Sequence, residues 1–99
     1  MQTAMKQSIK PLGSMLEDLI GSLGIKKKLS EYEAVTQWNA IVGEHIAEVT
    51  LPMRITQGVL VVRVRTSTWR NELNMRKQEI IGKVNNTIGA DTVKDIRFQ

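Results

Sequence analysis

Cysteine is absent from the 99-residue sequence, and histidine occurs once, at His45. Disulfides and thiolate zinc sites are therefore excluded, and a lone imidazole has no second ligand at a recognisable spacing. No glycine-rich phosphate loop follows a predicted strand, and no serine, histidine and aspartate are spaced as a nucleophile and its base. We therefore expect a protein that is not an enzyme and that uses no metal or cofactor.

Long apolar runs are also missing from the chain. The N-terminus has lysines at positions 6 and 10 and no apolar run of the length that a signal peptide or membrane span requires. The sequence therefore predicts a cytoplasmic protein with no membrane partner. Its 99 residues make one domain that can bury about 65% of its unfolded surface.

Positive charge is unevenly distributed along the chain, which has a formal net charge of +4. Residues 1–50 contain five Lys plus Arg and six Asp plus Glu, whereas residues 51–99 contain nine and four. The whole positive excess therefore lies in the second half of the sequence.

Two amphipathic helices are predicted in the first half of the chain. The first spans residues 8–23, where one arc of about 100° contains Ile9, Leu12, Leu16, Leu19, Ile20 and Leu23. A basic connector at residues 26–28 follows. The capping-box spacing from Ser30 to Glu33 predicts the start of the second helix, and Gly43 predicts its end.

Two strands joined by a tight turn are predicted at residues 48–56 and 59–66. In the first, alternation places four apolar residues inward, namely Val49, Leu51, Met53 and Ile55. Pro52 puts this strand at a sheet edge or beside a bulge, because proline cannot donate to a ladder. Gln57-Gly58 is the predicted hairpin turn. The second strand is rich in β-branched residues, which favours a central position.

From Trp69 the apolar period changes to that of a helix. A stripe about 120° wide contains Trp69, Leu73, Ile80, Ile81, Val84 and Ile88. Gly89 is the predicted C-cap. Residues 92–98 predict a last short strand with Ile96 and Phe98 inward.

The predicted fold class is α+β, with the element order α-α-β-β-α-β in a single domain. An N-terminal helix at about 8–23 precedes a core at about 30–98. A strand, a helix and another strand imply a right-handed crossover, so the last strand should run parallel to the strand at 59–66 or to its neighbour. Helices then cover one face of a three-stranded mixed sheet, and we expect both tryptophans, Trp38 and Trp69, in the core.

The other face of this sheet is predicted to be rich in arginine. Val61 and Asp95 lie on the same face by alternation. Planar guanidinium groups suit phosphate contact and base stacking, although arginines on a sheet also improve solubility and discourage aggregation. The candidate nucleic-acid contacts are Arg54, Arg63, Arg65, Arg97, Lys26, Lys27 and Lys28.

Four segments of the chain resemble one known bacterial family. They are Trp38-x-x-Ile41-Val42-Gly43-x-x-Ile46-Ala47, Gly58-Val59-Leu60-Val61-Val62-x-Val64, Ser67-x-Trp69-x-x-Glu72-Leu73-x-Met75-Arg76 and Ile96-Arg97-Phe98. In this order they resemble the DciA family, whose members load or recruit the replicative helicase. The resemblance covers about residues 8–98. It implies a fold similar to type II KH domains, binding of single-stranded or branched DNA, and a DnaB-type replicative helicase as partner.

A partner surface is predicted on the N-terminal helix. Its broad apolar arc could engage a helix or groove of the helicase through Leu12, Leu16 and Leu19. The alternative is that these leucines complete the core of the domain itself.

From the residues and the resemblance we predict a non-enzymatic DNA-binding adaptor that recruits or loads the replicative helicase. It would act in the cytoplasm, in association with the nucleoid. Two alternatives stay open: a protein-interaction module whose basic sheet meets an acidic partner, and a KH-like domain that binds RNA. The sequence does not determine the oligomeric state.

Overall fold

The computed structural model describes residues 12–19 and 24–99. Residues 12–19 are helical and are called α1. The helices that follow are α2 (Ile25–Thr36), α3 (Trp38–Val42), α4 (Glu44–Val49), α5 (Ser67–Met75) and α6 (Lys77–Ile88). The strands are β1 (Thr50–Thr56), β2 (Val59–Val64) and β3 (Asp95–Phe98). Within the described ranges, no helix is long and apolar enough to cross a membrane.

The sheet has the strand order β1-β2-β3, with β1 antiparallel and β3 parallel to the central strand. The predicted mixed sheet and parallel last strand are therefore confirmed. Gln57 and Gly58 form the predicted hairpin turn, and both have a positive φ, 52° and 81°. This combination is that of the I′ turn, whose twist matches that of the strands. Gly58 is also sterically required, since a Cβ there would lie 2.8 Å from Cγ of Lys94.

Each of the two predicted core helices is interrupted. The second helix divides at Gln37 and ends at Gly43, as predicted, and the helix from Trp69 divides at Arg76. Gln37 and Arg76 have φ, ψ of −96°, 1° and −101°, 10°, which is the bridge region rather than the helical one. The apolar period continues through both positions, and neither is a proline or glycine, so the sequence contains no signal for these breaks.

The start predicted for the second helix at Ser30 is wrong. α2 begins at Ile25, directly after Gly24, whose φ of 72° is readily adopted by glycine. Residues 26–28 therefore form the first turn of a helix and not a connector. Lysines oppose the helix dipole at that end, so charge gave no indication of a start there.

The core lies between the helices and the inner face of the sheet. Its largest fully buried side chains are Trp38, Leu60, Leu73, Ile96, Val62, Val84 and Val93. Trp69 and Ile88 pack against this cluster and are partly buried, so the predicted helical stripe is confirmed. Nε1 of Trp38 donates to Oγ1 of Thr50 at 2.9 Å, and that hydroxyl donates to the Ile46 carbonyl at 2.7 Å. The buried indole therefore has its polar atom satisfied.

Strand β1 contains a bulge that reverses its alternation. Its register with β2 shifts between Pro52 and Arg54, as the proline in this edge strand predicts. Before the shift the even-numbered residues face inward, and after it Ile55 does. The prediction that Leu51 and Met53 point inward is therefore wrong, and these side chains are 53% and 37% exposed. One extra residue in a strand moves every later side chain to the opposite face.

Asn85 fixes the loop that leads into β3. Its Nδ2 donates to the Val93 carbonyl and its Oδ1 accepts from the Val93 N–H, both at 2.9 Å. The Val93 side chain is thereby held in the core, where it is fully buried. This contact joins α6 to the start of the parallel strand and so helps to set the position of β3 in the sheet.

Candidate nucleic-acid interface

The register of the three strands defines the outer face of the sheet, which is the face opposite the helices. Directly paired residues in neighbouring strands share a face. Three rows of outward residues cross the sheet, namely Leu51 and Arg63; Arg54, Val61 and Arg97; and Thr56, Val59 and Asp95. The third row lies next to the hairpin turn, and the first lies at the other end of the sheet.

The predicted arginines are exposed, and the register places three of them on the outer face: Arg54, Arg63 and Arg97. Arg65 lies just beyond β2, where its backbone N–H donates to the Val49 carbonyl at 2.9 Å. That bond continues the β1–β2 ladder, so alternation points the Arg65 side chain to the same side as that of Arg63. The fold thus places three arginines from the strands on one face, and alternation adds Arg65, the residue after β2, to the same side.

Val61 lies in the middle of this basic surface and is buried. It is only 5% exposed, although it is not part of the core cluster. Its direct neighbours in the sheet are Arg54 on one side and Arg97 on the other. Arginine buries its alkyl stem along apolar surface while its head stays in water. The positions of Arg54 and Arg97 on either side of Val61 allow their alkyl stems to cover it.

Charge changes sign along the outer face. Asp95 lies beside the hairpin turn. Its carboxylate accepts a hydrogen bond from the Ile96 N–H at 2.8 Å and forms an ion pair with Nζ of Lys77 at 3.3 Å. The Ile96 bond, with Lys77 and Arg97 adding to it, lowers the pKa of this carboxyl below its ordinary value. Asp95 therefore stays negative, and the positive charge is concentrated at the Arg65 end.

A shallow cleft of about 350 Å³ opens at that positive end. It is lined by Glu48, Val49, Thr50, Leu51, Arg63, Val64 and Arg65. Two cationic side chains and one exposed leucine thus border the same depression, with Glu48 as its acidic member. Such a surface can accept an anionic group and an apolar group side by side.

The three predicted lysines lie on another part of the molecule. Lys26, Lys27 and Lys28 are exposed in the first turn of α2. Lys26 and Lys27 line a cleft of about 630 Å³ together with the hairpin turn. That turn is at the opposite end of β2 from Arg65, so the fold does not join lysines and arginines into one patch. Nucleic-acid contact by the lysines stays a prediction.

The predicted partner surface on α1 is exposed. Leu12, Leu16 and Leu19 are between 51% and 57% exposed. Among the described residues, the core cluster and the side chains packed against it do not include these leucines. The remainder of the predicted helix, residues 8–11 and 20–23, lies outside the described residues.

The fold and this surface define a class of protein: a small α+β domain with helices on one face of a mixed sheet and arginines on the other. Residues 11–98 match the family described as Dna[CI] antecedent, DciA. The chain belongs to the DciA family, as its four sequence motifs indicated. The DciA family is one of helicase loaders and adaptors rather than a known enzyme family.

Several mycobacterial proteins are similar to this chain. A UPF0232 protein of Mycolicibacterium smegmatis is 28% identical over 87 residues, which cover 88% of this chain and 45% of the relative. A UPF0232 protein of Mycobacterium tuberculosis is 28% identical over 89 residues, which cover 90% of this chain and 48% of the relative. One from Mycobacterium marinum is 26% identical over 89 residues, with the same coverage. The chain spans about half the length of the curated relatives it matches.

Proposed function

We propose that this chain is a non-enzymatic DNA-binding adaptor that recruits or loads a DnaB-type replicative helicase in the cytoplasm, at the nucleoid. The observation that carries this proposal is the gathering of exposed arginines on one sheet face, in a member of a helicase-loading family. A guanidinium group binds phosphate through parallel hydrogen bonds and stacks on base rings. A nucleic acid is therefore a ligand that this face suits, and the family resemblance favours DNA.

Helicase contact is assigned to a different element. The α1 stripe of Leu12, Leu16 and Leu19 is the kind of apolar helix face that fits a hydrophobic groove on another protein. Because the arginines belong to the sheet, DNA and helicase would be held by separate surfaces. An adaptor of this kind acts through binding energy alone, by keeping DNA near the helicase ring.

The strand order supports the further proposal of a KH-like fold of type II, which the family resemblance implies. The parallel pairing of β2 and β3 across the α5–α6 unit is the relevant feature. KH domains also bind RNA. The RNA alternative is therefore tested in parallel with the DNA proposal, and so is the alternative of an acidic protein partner.

DNA binding is expected to be strongly salt-dependent and nearly independent of sequence. If about three to four phosphates are neutralised, a plot of log K against log salt concentration on single strands has a slope of about −2 to −3. Arg97→Gln should make this slope shallower by about 0.7, the value for one phosphate contact on a single strand. Lys83→Gln, on the helical side of the domain, is the matched control and should leave it unchanged. Fluorescence anisotropy over a salt series measures both.

The same titration with RNA and duplex separates the alternatives. Tighter binding to single-stranded RNA than to DNA of equal length would favour the RNA-binding domain. Absence of binding to any nucleic acid would favour a protein-interaction module. A salt response that is flat on DNA would contradict the basic-face proposal.

A further inference from the structure

Leu51 lies on the outer face with the arginines, and Met53, the unpaired residue at the register shift, is exposed next to Arg54. Leu51 and Met53 of β1 are 53% and 37% exposed, and Leu51 is the direct cross-strand partner of Arg63. Phosphate contact alone gains nothing from exposed leucine or methionine. A ligand with both an anionic and an apolar part could contact the arginines and these side chains together.

The bulge in β1 is what produces this combination of side chains. Leu51 lies before the register shift and Arg54 after it, yet both lie on the outer face because the extra residue changes the phase of the strand. In a regular strand, residues 51 and 54 would point to opposite faces of the sheet. The backbone irregularity thus places an apolar side chain and a guanidinium group on one surface.

We propose that Leu51 and Met53 form an apolar strip that packs against unpaired bases and makes the outer face selective for single-stranded over duplex DNA. This inference rests on the DNA binding proposed above. In a duplex the bases are stacked inside and only phosphates and groove edges are accessible. A single strand can turn its base faces toward the protein while its phosphates reach the arginines.

The spacing of the side chains fits this mode of binding. Directly opposed residues on neighbouring strands have Cβ atoms about 5 Å apart, so Leu51 and Arg63 can contact the base and the phosphate of the same or adjacent nucleotides. Both residues also border the cleft at the positive end of the sheet. Because β1 is an edge strand in the described part of the chain, bases that lie over the strip meet no further described strand on that side.

The test compares binding of a double variant, Leu51→Ser with Met53→Ser, to a thymidine oligonucleotide and to a duplex of the same number of phosphates. We expect affinity for the single strand to fall about tenfold, because the apolar area that Leu51 and Met53 bury against a base is lost. Affinity for the duplex and the slope of log K against log salt should stay unchanged, since no cation is removed. The matched control is Met75→Ser, which removes an 83% exposed methionine on α5 and should alter neither affinity.

Other outcomes would overturn the inference. Unchanged affinity for the single strand shows that the strip does not contact bases. An equal loss on single strand and duplex, in a variant whose melting temperature is unchanged, shows that the strip does not discriminate between them. If the wild-type protein binds neither the single strand nor the duplex, the proposed function itself is wrong. If the wild-type protein and the variant bind single-stranded DNA equally well, only the inference about the apolar strip is wrong.

Discussion

Trp38→Ala is expected to lower the free energy of unfolding by about 3–5 kcal/mol, enough to leave much of a domain of this size unfolded. Trp38 is fully buried and is the largest side chain in the core cluster. Its removal leaves a cavity in the core that the close-packed surroundings fill only in part. It also removes the Nε1 donor to Thr50 Oγ1, which joins α3 to the start of β1.

Urea denaturation measures this effect, with two variants for comparison. Trp69→Ala removes a side chain that is only partly buried, so its effect should be smaller than that of Trp38→Ala. Tyr32→Ala removes an exposed ring from α2 and should change stability by less than about 0.5 kcal/mol. A Trp38→Ala protein with an unchanged urea midpoint would contradict the packing described here.

Arg63→Glu combined with Arg65→Glu is expected to weaken DNA binding by about 100-fold or more, because opposing like charges cost several kcal/mol. Both side chains are exposed, so the domain should keep its fold. The exchange removes the positive end of the outer face and places two carboxylates where phosphates would lie. Anisotropy at fixed low salt measures the loss.

The matched control for this variant reverses the same number of charges on the helical side, with Arg76→Glu and Lys83→Glu. These residues form i,i+4 ion pairs with Glu72 and Glu79, and neither lies on the outer face. We expect the control to keep most of the DNA affinity. If the control variant loses DNA binding and the sheet variant retains it, DNA binds the helical layer and the assignment of DNA binding to the outer face is wrong.

The central part of the fold could be predicted from local patterns. The β-branched run at β2, the Gln57-Gly58 turn and the apolar stripe from Trp69 each have a direct physical cause in chain geometry. Together they determined the hairpin, the crossover and the parallel pairing of β3. The placement of the arginines on one face followed from alternation alone in β2 and β3.

The features that could not be predicted depend on backbone states that many residues adopt. Gln37 and Arg76 interrupt helices without a proline or glycine, so an apolar period that runs through them conceals the breaks. Asn85 acts through a loop eight residues away, and a sequence pattern does not show which backbone groups its amide reaches. An asparagine at position 85 could have suggested a helix cap or a turn, but not hydrogen bonds to the backbone of Val93.

The bulge in β1 was only half predictable. Pro52 indicated an irregular or edge strand, and that prediction is confirmed. The position of the bulge decides which of Leu51, Met53 and Arg54 face outward. A proline does not specify whether the extra residue comes before or after it. The apolar strip of the candidate interface was therefore missed, while Arg54 was assigned to the correct face.

A bridging experiment tests most directly the claim that separate surfaces bind DNA and helicase. Replicative helicase is captured on bead-bound single-stranded DNA at a salt concentration where it does not bind by itself, with and without this protein. We predict that the wild-type protein retains the helicase on the beads. The Arg63→Glu, Arg65→Glu variant should fail to bridge while still binding helicase in solution, and Leu16→Ser with Leu19→Ser should bind the DNA beads without retaining helicase. Loss of helicase binding in the arginine variant, or bridging by the leucine variant, would contradict the account.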